Sequence, residues 1–225
     1  YTLLAHTVPF TVNPFLYATV PYDAVKTFTP VALLSESPAV LVVHPSVPAK
    51  TLRELVDLAR AQPGKLNYAS AGVGTNHHIA GELLNSLAKI NIVAVQYKGG
   101  GPAHIATLGG EVRINYPNVV AAIPFIKAER LRALGVTSAK RSAAVPDVPA
   151  MAETVPGYEF TTWHGILAPA GVPKAVLAHL NDHLRKVMRS PELAERFAAE
   201  GVDVIASTPE QFGEHIKSEL QKWSK

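Results

Sequence analysis

The sequence predicts an α/β protein built around a mostly parallel sheet, and three observations carry that reading. Three consecutive segments repeat one order: strand, Gly- or Pro-marked turn, helix. Hydrophobic residues make up 48% of the 225 positions and charged residues 17%, enough apolar material for a large packed core. The 18 prolines and 15 glycines sit where strands hand over to helices rather than in one low-complexity tract.

The first repeat is a strand at 66–70, the turn Ala71-Gly72-Val73-Gly74, and a helix from Thr75 to Ala88. The second is a strand from Ile92 to Tyr97, the turn Gly99-Gly100-Gly101, and a helix from Pro102 to Leu108. The third is a strand from Val112 to Tyr116, then Pro117-Asn118, and a helix to Ala128; a further strand spans 131–137. Thr51-Leu52-Arg53-Glu54 reads as a capping box opening a helix to Ala61, which Pro63-Gly64 stops. Apolar spacing places helices at 173–189 and, after Ser190-Pro191, to Glu200. Thr208-Pro209-Glu210-Gln211 caps a last amphipathic helix ending near Trp223. Two apolar extended stretches stand apart, Val31–Val43 (interrupted at Ser35–Pro38) and Phe160–Leu167, each long enough to run between two lobes. The opening residues Tyr1-Thr2-Leu3-Leu4 read as strand, so we expect sequence upstream of Tyr1.

Composition removes several function classes. The formal net charge is +3, but Lys and Arg are scattered, and the densest basic patch is Lys140-Arg141. Nothing resembles a basic stripe with interleaved aromatics, so nucleic acid is not the expected partner. The absence of cysteine excludes disulfides, thiolate metal sites and a Cys nucleophile. No apolar run reaches the ~18 residues a membrane helix needs.

The turn Gly72-Val73-Gly74-Thr75-Asn76-His77 is the strongest local signal. Two glycines allow backbone to approach a ligand, and the next helix offers free N–H groups at its positive end, which suits an anion. A dinucleotide fingerprint would need Gly where His77 stands, and a phosphate-binding P-loop would need a following Gly-Lys-Ser/Thr. Tyr97-Lys98-Gly99-Gly100-Gly101-Pro102-Ala103 repeats the logic on a neighbouring strand. Each turn alone could be a plain tight turn or loop; two side by side favour a site. The turns hold no Asp or Glu, which suits an anion and leaves no acid pair for hydrolysis. Ser70 lies outside any nucleophile elbow. His77 and His78 are adjacent on a helix and point ~100° apart, so they do not share a metal. His104 and His164 stand isolated. We expect no metal and no cofactor. One of His77 and His78 is expected to hydrogen-bond ligand or loop backbone. Trp163 and His164 are placed either in the site or at a packed lobe junction.

The sequence resembles the solute-binding receptors of tripartite tricarboxylate transporters, the Bug-type proteins. The similarity runs through Asn13-Pro14-Phe15-Leu16-Tyr17, Leu41-Val42-Val43-His44-Pro45, Pro63-Gly64-Lys65-Leu66-Asn67-Tyr68 and Gly81-Glu82-Leu83. It is most specific at Tyr97–Ala103, Ile126-Lys127-Ala128, Leu131-Arg132-Ala133-Leu134 and Val145-Pro146-Asp147-Val148-Pro149. It continues through Trp163-His164-Gly165 and Ala168-Pro169-Ala170-Gly171.

The resemblance implies a type II periplasmic-binding clamshell of two α/β lobes, with lobe one at 1–38 plus 163–225 and lobe two at 39–162. It implies a periplasmic, monomeric receptor with no catalysis, which delivers a small organic acid to membrane transporter subunits in a transient encounter. It further implies a strand and a Pro/Gly-rich loop upstream of Tyr1, after an export signal, so that lobe one is incomplete here. Carried over by position, Ser70, Gly72, Gly74, Thr75, Asn76 and His78 form one wall, and Tyr97, Gly99, Gly100 and Ala103 the next. Asn118 completes lobe two, and Thr7 and Trp163 stand for lobe one. Many members have Asp-Asn in the third turn, where this chain has Pro117-Asn118. A missing acid there disfavours a ligand bearing an ammonium and favours a plain mono- or dicarboxylate. Two other readings are an α/β enzyme acting on a small acid or phosphate ester, for which only the histidines could serve as base, and a clamshell sensor that presents bound ligand to a signalling partner.

Overall fold

The computed structural model describes residues 2–224. Tyr1, the first residue of the expected opening strand, and Lys225 lie outside the described residues. The chain divides into two compact units, Tyr1–Glu36 with Thr162–Lys225, and Ser37–Thr161. The first unit opens with β1 (Leu4–Thr7), α1 (Pro9–Leu16) and β2 (Phe28–Pro38). The second holds β3 (Val40–Val43), α2 (Leu52–Ala61), β4 (Asn67–Ser70), α3 (Asn76–Ala88), β5 (Val93–Gln96) and α4 (Gly100–Leu108). It continues with β6 (Ile114–Asn115), α5 (Val119–Lys127), β7 (Arg132–Val136) and a 3-10 turn at Met151–Glu153. The chain then returns to the first unit with β8 (Thr161–Pro169), α6 (Lys174–Met188), α7 (Pro191–Ala199), β9 (Asp203–Val204) and α8 (Pro209–Trp223).

In the second unit the strand order is β5-β4-β6-β3-β7. β4 pairs parallel with both β5 and β6, whereas β3 runs antiparallel to both β6 and β7. The sheet is therefore mostly parallel with one reversed strand. The reversed β3 reads Val-Leu-Val-Val and is wholly buried. An uninterrupted apolar strand covered on both faces carries no sign of its direction, so the sequence did not reveal the reversal. β4, β5 and β6 deliver their carboxyl ends to one edge of the sheet, and α3, α4 and α5 begin there.

The helices obey their local signals. Thr51 Oγ1 accepts the Glu54 N–H at 3.2 Å. Glu54 Oε2 reaches back to the N–H of Lys50 rather than of Thr51, so the expected box closes one residue early. Leu52, Leu55, Val56 and Ala59 form the buried stripe of α2. At α8 the box is complete: Thr208 Oγ1 accepts from Gln211 N, and Gln211 Oε1 accepts from Thr208 N. Phe212 and Ile216 are its buried face.

In the first unit the strand order is β1-β8-β2-β9. The expected interruption at Ser35–Pro38 is absent. β2 continues to Pro38 because Ser35 and Glu36 pair with Val204 and Asp203 of β9. Asn181 fastens α6 to this layer, its Nδ2 donating to Val31 O at 2.8 Å and Ser207 O at 2.9 Å.

Two glycines serve as notches for aromatic rings. A Cβ at Gly81 of α3 would lie 2.3 Å from Tyr68 Cζ, and one at Gly165 of β8 would lie 2.1 Å from Phe212 Cζ. Both rings are fully buried. These two positions belong to the segments Gly81-Glu82-Leu83 and Trp163-His164-Gly165, whose glycines therefore have a packing reason.

Candidate anion-binding site

In the second unit, α3, α4 and α5 all start at the carboxyl edge of the sheet. Thr75, Gly99 and Asn118 occupy their N-cap positions, and none makes a side-chain cap hydrogen bond. No acidic residue lies in the first turn of any of the three. α2 and α8 differ: each has a threonine cap and a glutamate in its first turn. Ordinarily the leading N–H groups of a helix are satisfied by a cap, and a carboxylate complements its positive end. Three uncapped, acid-free N-termini on one sheet edge form a positive, donor-rich surface without a formal charge.

The turns are built to leave those amides open. Gly72 and Gly74 have φ of 130° and 75°, values that strain other residues. The Ser70 hydroxyl, fully buried, donates to Gly72 O at 3.0 Å and accepts Gly72 N–H at 3.3 Å. Thr75 Oγ1 donates to Gly72 O at 2.7 Å, and its lone pairs remain. His78 Nδ1 accepts the Gly74 N–H at 3.4 Å, so it braces the loop as an acceptor. At the second turn Gly99 has φ 107°, whereas Gly100 and Gly101 are ordinary helical residues. α4 thus begins two residues earlier than the expected Pro102, which stands third in the helix, still among the positions whose N–H has no intrahelical partner. A Cβ at Gly100 would touch His77 Cε1 at 3.4 Å, so the first turns of α3 and α4 are in contact.

Two half-buried histidines, His77 and His104, stand on α3 and α4. Burial, and secondarily the neighbouring His104, hold His77 below its ordinary value. Burial lowers His104 as well; its ring nitrogens have no partner, and its ring packs edge-on to Phe125 at 4.9 Å. The Asn76 Oδ1 is buried and unpartnered. Asn118 is exposed at the start of α5.

Four of the expected site residues are engaged in packing or in hydrogen bonds within the protein. Ala103 is fully buried against Ala69 and Val112. Tyr97 packs on the same cluster, and its hydroxyl is committed to Glu111 Oε1 at 3.1 Å, which pushes its pKa up after burial. Ser70 is spent on its own turn. Trp163 is fully buried in the first unit, edge-on to Phe212 and His215, with its one polar group donating to Glu219 at 3.3 Å. The side-chain polar groups of Ser70, Tyr97 and Trp163 are thus hydrogen-bonded within the protein, and Ala103 is part of the packed core. Gly72, Gly74, Thr75, Asn76, His78, Gly99, Gly100 and Asn118 are gathered on the one edge.

In the first unit, Thr7 ends β1 opposite His164. Its Oγ1 is buried without a partner, and Thr7, His6, His164 and Leu34 line a cavity of about 180 Å³. A larger cavity in the second unit, about 810 Å³, lies at the amino end of β7 and the carboxyl end of α5, and none of the N-terminal residues of α3, α4 or α5 lines it. Its cations Lys50 and Arg132 are matched by Glu129 and Asp147, and the Arg132 guanidinium is occupied by Val47 O and Ala49 O. It does not select for an anion. Among the described residues no group of three or more His, Cys, Asp or Glu gathers to hold a metal. One motif was missed in the sequence: His179 and His183 stand four apart on α6.

The fold is that of the periplasmic solute-binding proteins, in which binding rather than catalysis is the function. The chain belongs to the family of tripartite tricarboxylate transporter receptors, whose model matches residues 1–225. It is 33% identical over 227 residues to BugT of Bordetella pertussis, covering all of this chain and 70% of that protein. A protein encoded in the tcbD-tcbE intergenic region of Pseudomonas sp. strain P51 is 37% identical over 227 residues, all of this chain and 68% of the relative. Among solved structures, Rpa4515 of R. palustris with adipate superposes with a TM-score of 0.90 at 30% identity, covering 100% of this chain and 76% of that one. MatC of Rhodopseudomonas palustris with bound malate gives 0.88 at 29% identity, covering 98% and 77%.

Proposed function

We propose that this chain is a periplasmic receptor for a small mono- or dicarboxylate, which it passes to the membrane subunits of a tripartite transporter. The observation that carries the reading is the set of three uncapped, acid-free helix N-termini of α3, α4 and α5 on one sheet edge. A carboxylate there would accept backbone N–H bonds from Asn76–His78 and Gly100–Gly101, while Thr75 holds the turn in place through its hydroxyl and its N–H, both bonded to Gly72 O. The adipate and malate of two structural relatives support a carboxylate ligand. The absence of acid from all three first turns leaves nothing there to receive an ammonium, which disfavours an amino acid. In the first unit we assign Thr7 to the ligand, since its hydroxyl is buried and unpartnered.

A thermal-shift screen of organic acids, amino acids, sugars and cations tests this. A carboxylate at one hundred times its Kd should add about 2.7 kcal/mol of stability. Stabilisation by sugars or amino acids, and by no simple carboxylate, would contradict it. Transfer to a transporter is tested by reconstituting uptake with and without the receptor.

A further inference from the structure

We propose that α6 carries a surface chelate for a divalent transition metal, formed by His179 and His183. Residues four apart stand one above the other on a helix face. Both side chains are exposed, and their ring centroids are 4.2 Å apart, tilted by 45°. Asn181, midway between them and about 160° round the helix from either, is buried and bonded to Val31 O and Ser207 O. That anchor fixes the rotation of α6 and turns the two imidazoles outward.

The decisive feature is the hydrogen bond between His183 Nδ1 and His179 O at 2.9 Å. A carbonyl oxygen can only accept, so Nδ1 carries the proton. The lone pair of a neutral His183 is then on Nε2, at the outer end of the ring. Metal-bound histidines commonly use this arrangement, with one ring nitrogen donating to a carbonyl or carboxylate while the other ligates. One ligand is thus already in its metal-binding tautomer. His179 is one turn away and can supply the second nitrogen by a ring rotation.

With no third His, Asp or Glu gathered among the described residues, the shell would be completed by water and the metal would exchange. Two neutral imidazoles favour Cu²⁺ over Ni²⁺ and Zn²⁺, and disfavour Mg²⁺ and Ca²⁺. Asp182 and Lys186 flank the pair on the same helix. They are opposite in sign, so they add little net field.

Isothermal titration of tag-free protein with CuCl₂, NiCl₂ and ZnCl₂ is the test. We expect one saturable site, tightest for Cu²⁺. His179→Gln or His183→Gln should weaken it at least tenfold, and the double variant should lose it. His44→Gln, which removes a histidine of the other unit, should leave it unchanged. Circular dichroism confirms folding of the variants, since both positions are exposed. Absence of a saturable site in the unaltered protein would overturn the proposal, as would a double variant that binds Cu²⁺ equally well.

Discussion

Replacing Gly81 by Ala sets two opposing effects against each other, and the structure decides the sign. Alanine in a helix interior is favoured over glycine by about 1 kcal/mol. Against this, the new Cβ would lie 2.3 Å from Tyr68 Cζ and 2.5 Å from Cε2, so the ring must move by about 1 Å to reach van der Waals contact. Tyr68 has little room. It is fully buried, edge-on to Tyr116 at 5.8 Å, and its hydroxyl donates to Glu82 Oε1 at 2.8 Å and lies 3.2 Å from His78 O. Overpacking of this kind costs roughly 1–3 kcal/mol, and losing a hydrogen bond to a charged group roughly 1.5–3 kcal/mol. The net expectation is destabilisation by about 2–5 kcal/mol. Urea unfolding at constant m-value measures it. A second variant, Gly81→Ala with Tyr68→Leu, should recover part of the loss, giving a coupling that a merely additive effect would not. A stabilised Gly81→Ala protein would refute the reasoning, because helix propensity would then have won over a ring that moves freely.

Further outcomes follow from the same geometry. Gly99→Ala should cost about 1–2 kcal/mol of stability because φ is 107° there, whereas Gly101→Ala, with open space at its Cβ, should be neutral or stabilising; thermal unfolding of the two compares them. Thr75→Ala should weaken carboxylate binding by about 0.5–1.5 kcal/mol, because it removes the hydroxyl bond to Gly72 O that holds the turn, and Lys98→Ala by less, since its exposed charge is screened by salt; calorimetry ranks them. Trp163→Phe should leave ligand affinity unchanged while lowering stability, because its indole N–H is bound to Glu219 in the interior. Burial holds His77, His104, His164 and His215 below their ordinary 6.5. The unfolded chain then takes up protons first, so stability should fall as pH drops through about 6.5 and level off below the folded values; His77→Gln should flatten the melting-temperature profile.

Much of the second unit was legible in the sequence because its signals are local. The glycines before α3 and α4 and the threonine cap of α2 act within four residues of where they stand, as does the threonine cap of α8 in the first unit. What escaped is set by partners distant in sequence. Glu111 captures the Tyr97 hydroxyl from fourteen residues away, and Glu219 captures the Trp163 indole from fifty-six. The notches at Gly81 and Gly165 were readable as glycines but not as receptors for Tyr68 and Phe212. Likewise the direction of β3 left no trace in four buried apolar residues. The His179–His183 spacing was present in the sequence, but the hydrogen bond that selects the His183 tautomer was not.

Under the proposed function, backbone amides at three helix N-termini hold the ligand's carboxylate. The most direct measurement is a ¹⁵N–¹H correlation spectrum recorded while adipate or malate is titrated into the protein. The largest shifts should fall on the amides of Asn76–His78, Gly100–Gly101 and Val119, with smaller changes at Lys98. Shifts concentrated around Lys50 and Arg132 in the larger cavity, with those amides silent, would contradict it.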